Sequence, residues 1–222
     1  MIKTTMLGFT VLALAASTAF AAGDKTYSLS KDKAITSVTQ ASVHYAPPQL
    51  APKKSSVIFS NIGTKYPKGL YFCCYGDTIS GADAGVGGAF SAALQFTPSS
   101  DAKVKEIDAS VGFVQGTNAV DLVLYDDDGG VPGKVIASGK ATGLGTFGDC
   151  CTLAVAKVKA SLKAGTPYWV AAQADPDGSD TWAAWAFNST DQIDILTAAY
   201  NSGSGWSAGV ALPAPGFQVL GK

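Results

Sequence analysis

From Lys103 to Tyr125 apolar and polar residues alternate with period two, the spacing of a half-buried β-strand. Ile107, Ala109, Val111 and Phe113 fall on one side, Asp108 and Ser110 on the other. Beyond Gly116-Thr117-Asn118 the alternation resumes, with Val120, Leu122 and Leu124 against Asp121, Val123 and Tyr125. Successive side chains of a strand point to opposite faces, so one face meets a core and the other meets water. The intervening Gly116–Asn118 reads as a short hairpin connection. Further strand candidates are Ser56 to Asn61, Gly88 to Phe96, Lys134 to Ala137, Thr152 to Val158, Pro167 to Ala174, Thr181 to Phe187 and Gly216 to Leu220. Between them lie Gly, Pro and Asp, most densely in Asp126 to Gly133 (DDDGGVPG). With 25 glycines, 10 prolines and Glu106 as the single glutamate, extensive surface helix is excluded; a helix over Ser189 to Ala199 is the one helical candidate. The expected fold is all-β: an antiparallel β-sandwich, jelly-roll-like.

The N-terminus sets the compartment. Lys3 precedes an apolar run, Met6 to Ala16, and Ala19-Phe20-Ala21 supplies the small-x-small pattern of a secretory cleavage site. The run is shorter than the ~20 residues of a membrane span. Residues 1–21 are therefore expected to be a signal peptide, with the product secreted or periplasmic and not inserted in a membrane. Residues 22–55 read as a leader, including the extended Ala46-Pro47-Pro48-Gln49-Leu50-Ala51-Pro52, and residues 56–222 as the sandwich domain. The chain has 16 basic residues, all lysine, against 17 acidic ones. Without arginine, the side chain best suited to bidentate phosphate and base recognition, nucleic acid is not an expected partner.

Val57-Ile58-Phe59-Ser60-Asn61, the Val111 to Tyr125 segment, Asp128-Gly129-Gly130-Val131-Pro132-Gly133 and Gly165-Thr166-Pro167-Tyr168-Trp169-Val170 resemble a jelly-roll domain of secreted bacterial proteins described as "choice-of-anchor". The resemblance spans roughly Ser56 to Gly221 and rests on turns and core strands. It implies the fold and no activity. Members carry C-terminal anchors; here the sequence runs to Gly221-Lys222 without one, which favours free release.

Four cysteines form two doublets, Cys73-Cys74 and Cys150-Cys151, and an even count in an exported chain points to disulfides. Two readings stay open. A bridge between doublets would close a loop of about 76 residues and stabilise by on the order of 4 kcal/mol. A vicinal ring must instead bend a peptide unit whose α-carbons are about 3.8 Å apart. Metal binding is disfavoured, because the doublets lack C-x-x-C spacing.

Trp182, Trp185, Trp206 and Tyr200 are the candidate ligand contacts, since aromatic faces pack against the apolar C–H surface of sugars. Trp182 and Trp185 stand three apart and must face opposite sides of a strand, so at most one is exposed. Trp206 lies in a glycine-rich stretch and is the first candidate. Asp126 and Asp128, and Asp175, Asp177 and Asp180, are candidate ligands for a structural calcium, which takes six to eight oxygens from a turning backbone. Gly205-Trp206-Ser207-Ala208-Gly209 matches a nucleophile elbow by letter, but no histidine follows it, as the triad requires. The expectation is a non-enzymatic domain that binds extracellular polysaccharide or cell-surface components. The alternatives are a structural or assembly protein and, third, a polysaccharide hydrolase working through two carboxylates.

Overall fold

The computed structural model describes residues 18–22, 25–30, 34–39, 55–63, 71, 75–149, 152–188, 196–211 and 213–222. They contain strands and no helix. In chain order these are β1 Thr18–Ala22, β2 Lys25–Leu29, β3 Ala34–Thr39, β4 Ser56–Ser60, β5 Gly76–Ser80, β6 Ser91–Phe96, β7 Ala102–Ala109, β8 Val111–Gln115, β9 Ala119–Asp127, β10 Pro132–Thr142, β11 Ala154–Leu162, β12 Tyr168–Ala174, β13 Trp182–Ala186, β14 Leu196–Asn201, β15 Trp206–Ala211 and β16 Phe217–Gly221. All pairings between these strands are antiparallel.

One layer of the sandwich is the sheet β10-β9-β12-β6-β14-β15. The facing layer joins two sheets, β11-β7-β16-β4 and β8-β13-β5, the latter extended by β3, β2 and β1. Leu94, Leu122, Leu124 and Val170 from the first layer meet Ile107, Val111, Trp185, Phe217 and Val219 from the second in a single buried core. Aromatic contacts run through it: Phe217 stacks on Phe59 with ring centroids 5.0 Å apart and meets Trp185 edge-on at 6.1 Å.

Ser110 is where the second layer changes sheets, between β7, which pairs with β16, and β8, which pairs with β13. Its N–H donates to the Gly216 carbonyl at 2.9 Å, and its own carbonyl accepts from Ala186 N–H at 2.9 Å. Its hydroxyl lies 2.7 Å from the Ala186 oxygen and 2.9 Å from that of Gly216, and donates its one proton to either. The Gly216 oxygen also accepts from Trp185 Nε1 at 2.8 Å.

Three readings of local structure need correction: the Gly116–Asn118 hairpin, the exposure of Asp108 and Ser110, and the helix candidate. Gly116–Asn118 is not a hairpin: β8 belongs to one layer and β9 to the other, so the segment crosses between layers. Asp108 and Ser110 do alternate with the core residues, but both are buried instead of facing water. Gln218 Nε2 covers Asp108 with a 2.7 Å hydrogen bond, and the sheet junction encloses Ser110. Residues 196–199 of the helix candidate belong to β14, and the rest of that candidate lies outside the described residues. β5 and β15 had no counterpart among the sequence candidates. Strand β1 crosses the expected cleavage point after Ala21, and it is the outermost strand of its sheet. Strands β2 and β3, from the segment read as leader, send Tyr27, Leu29 and Ile35 into a second core with Trp182, Val114 and Phe147.

Replacing Ser110 with alanine keeps the backbone bonds of the junction and removes one hydroxyl bond. The expected cost is about 1 kcal/mol, read as a lower urea midpoint with unchanged slope.

Candidate functional site

At one end of the sandwich the layers part, and a cleft of about 480 Å³ opens between β5 on one side and β6, β14 and β15 on the other. That volume falls within the roughly 300–1,000 Å³ of small-molecule sites. Asp77 and Thr78 enter from β5, Phe90 and Ser91 from the start of β6, and Tyr200 and Ser207 from the β14–β15 hairpin. Asn201 and Ser202 close the hairpin side and Ala34 the β3 side.

Strand alternation explains the facing pair. Asp77 shares a face with Ile79, and Tyr200 shares one with Ala198; Ile79 and Ala198 belong to the core between the layers. The two polar side chains thus continue that core outward to its open end. Gly76 makes this possible, because a Cβ there would stand 2.4 Å from the Trp185 carbonyl oxygen. On the opposite wall Tyr200 and Ser207 are cross-strand partners. Asn201 Oδ1 accepts from Gly203 N–H at 2.8 Å and from Gly205 N–H at 3.2 Å, holding the turn beyond them. Gly203 and Gly205, with φ of 97° and 106°, take backbone conformations that other residues rarely adopt.

Asp77 is partly exposed as a residue, but its Oδ2 is shut off from water and has no hydrogen-bond partner. Thr78 Oγ1 is in the same condition. Burial disfavours the charged carboxylate and pushes Asp77 from the ordinary 3.8 up to about 7. Burial first, and then the Asp77 charge, push the Tyr200 phenol up, so it stays protonated and able to donate. Asp108, on another part of the fold, is raised to about 6 by burial, partly offset by Gln218.

The structure separates the aromatic candidates. Trp182 and Trp185 do face opposite sides of β13, but neither is exposed: both are buried, in different cores. Neither ring therefore faces solvent, because β13 lies in a sheet covered on both faces. Trp206 lies half-buried on the outer face of the other layer, with its ring edge-on to Tyr125 at 6.0 Å. Of the four, Tyr200 alone lines the cleft.

Three of the calcium candidates, Asp126, Asp175 and Asp180, have their carboxylates engaged elsewhere. Asp175 is buried, forms an ion pair with Lys140 and accepts from Asp177 N–H at 2.9 Å. Both contacts hold its carboxyl below the usual range, the lysine foremost. Asp180 accepts from Thr117 N–H at 3.1 Å and Thr117 Oγ1 at 2.7 Å. Asp126 accepts from Lys134 N–H, and the N–H of the exposed Asp128 closes the turn on Val131. Among the described residues no three acidic, histidine or cysteine side chains gather to hold a metal. Cys73, Cys74, Cys150 and Cys151 lie outside the described residues.

Ser207 of the elbow-like motif sits on a hairpin strand, not on a strand-to-helix turn. Sequence reading missed Asp77, Thr78, Phe90 and Ser91. The one available signal was the alternation of Asp77 and Ile79 against Thr78 and Ser80 in Gly76–Ser80. No family model matches the chain, and no curated protein matches it. Fold and cleft together define an all-β sandwich with a hydroxyl-lined opening at one end of its core.

Two outcomes are expected. Between pH 4 and pH 7 folded Asp77 holds a proton that the unfolded chain has released, so stability falls as pH rises across that window. Asp77→Asn therefore gains on the native protein from pH 4 to pH 7 and levels off above, with a slope of at most about 1.4 kcal/mol per pH unit. Urea unfolding at each pH reads this, and a constant difference would mean that Asp77 titrates normally. Adding calcium should leave Tm unchanged by calorimetry, since the carboxylates of Asp126, Asp175 and Asp180 already have partners; a rise saturating with calcium would overturn this.

Proposed function

We propose that the protein is a non-enzymatic, exported β-sandwich that binds carbohydrate, through the cleft between β5 and the β14–β15 hairpin. The observation that carries the reading is the cleft's lining: the hydroxyl-bearing residues Ser91, Tyr200, Ser202 and Ser207, with Asn201, and the aromatic residues Phe90 and Tyr200. Hydroxyls both donate and accept, matching the hydroxyls of a sugar, while aromatic rings suit its apolar C–H face. The signal-peptide pattern at residues 1–21 and the resemblance to secreted jelly-roll domains support the same reading.

Binding is favoured over cleavage by the acid count. Glycoside hydrolysis uses two carboxyl groups flanking the scissile bond, about 5–9.5 Å apart. Asp77 is the one acid lining the cleft among the described residues.

A second reading, self-assembly, has one observation in its favour. β15 is the outermost strand of its sheet, carries no charge or proline, and exposes 65% of Val210. Such an edge is open to pairing with another chain.

A glycan array probed with the protein should show retention on a subset of sugars, equally with calcium and with a chelator. Tyr200→Ala should weaken that retention roughly tenfold, of the order expected for losing an aromatic contact and its hydroxyl bond. A blank array, together with mass that rises with concentration in light scattering, would favour self-assembly.

A further inference from the structure

Asp77 differs from the other buried acids of the fold. Glu106 forms an ion pair with Lys157 and Asp175 with Lys140, while Asp108, whose Oδ1 is likewise unpartnered, takes a hydrogen bond on Oδ2 from Gln218. Asp77 Oδ2 has no such partner, and among the described residues no lysine lines the cleft. An unpaired buried carboxylate is costly, and a cation supplied to it recovers much of that cost. The described groups around it are neutral. Tyr200 from β14 is the titratable one; β6 presents Ser91, β3 presents Ala34, and the cross-strand neighbour on β13 is Trp185. The Tyr200 and Phe90 rings add faces that attract a cation.

Resting on the carbohydrate reading, we propose that the cleft selects a sugar bearing a protonated amine, with Asp77 as counter-ion to the ammonium and the surrounding hydroxyls binding those of the ring. The ammonium supplies a positive charge that none of the described lining residues places there. Ammonium binding favours the ionised carboxylate, so ligand uptake at slightly acid pH drives a proton off Asp77. The free energy of binding is then coupled to pH through this one group.

The experiment is isothermal calorimetry of the full chain with two tetrasaccharides of one backbone, β-1,4-linked glucosamine and β-1,4-linked N-acetylglucosamine, at pH 5.5, where the glucosamine amines are already protonated. The amine form should bind roughly 10- to 100-fold tighter, the range for a hydrogen bond to a charged group. Asp77→Asn should erase the preference. The binding heat should also vary with the ionisation enthalpy of the buffer, which reports proton release in the unaltered protein and does not depend on how the variant folds. Equal affinity for the two sugars, or a preference that survives Asp77→Asn, overturns the amine assignment and leaves carbohydrate binding standing. If neither sugar binds and the array is blank, both fail.

Discussion

The carbonyl of Gly216 and the backbone of Ser110 hold together the layer on which the rest of the sandwich packs. Two N–H donors converge on that oxygen, from the Ser110 backbone and the Trp185 indole, and the Ser110 hydroxyl lies within reach of it and of the Ala186 oxygen. Gly216 N–H in turn donates to the Ala186 carbonyl at 3.0 Å. A Cβ at Gly216 would stand 3.0 Å from Ser110 Oγ, so the approach depends on glycine or on movement of that hydroxyl. At this point the chain leaves the β7–β16 pairing and enters β8–β13, and two sheets become one wall. Phe217 and Trp185, on either side of the junction, reach the same core.

The opposite layer is shaped by small side chains. Val123, Ala171, Ala93, Ala199 and Ala208 form a row across five neighbouring strands on its outer face. β9 and β15 are four strand spacings apart, about 19 Å along the sheet, but the rings of Tyr125 and Trp206 meet at 6.0 Å. The sheet must therefore curl, with this face concave, and the alanine row leaves room for it. Trp169 lies fully buried in the hollow and donates Nε1–H to Asp127 Oδ1 at 2.8 Å, while Gln95 bonds the same oxygen. Asp127, in a cluster that reads in sequence as a turn, thus also satisfies a buried indole.

The cleft follows from where the core ends. Trp185 and Ile79 fill the space between the layers, and one step further along the same face stands Asp77. Substituting an acid for a core filler leaves a polar hollow, and the low dielectric of its walls raises the energy of the charged form. The same walls make any hydrogen bond formed inside stronger than it would be in water. A site of this kind needs no loop to close over it, because both of its sides are strands of the scaffold.

Period two was readable without a structure, and with it the all-β class, most of the strands from Ser56 onward and the opposite facing of Trp182 and Trp185. Local alternation depends only on the pleat of an extended chain, so neighbours in sequence suffice to reveal it. Burial does not follow from that rule. Whether Asp108, Ser110, Trp182 and Trp185 meet water depends on what covers the second face of each sheet, and that is decided by strands from distant parts of the chain. The cleft was hidden for the same reason: Asp77 and Tyr200 stand far apart in sequence, and only packing of the two layers sets them on facing walls. Which residues can share a face is set by neighbours along the chain; which faces are closed and which stay open to a ligand depends on strands brought together from distant positions.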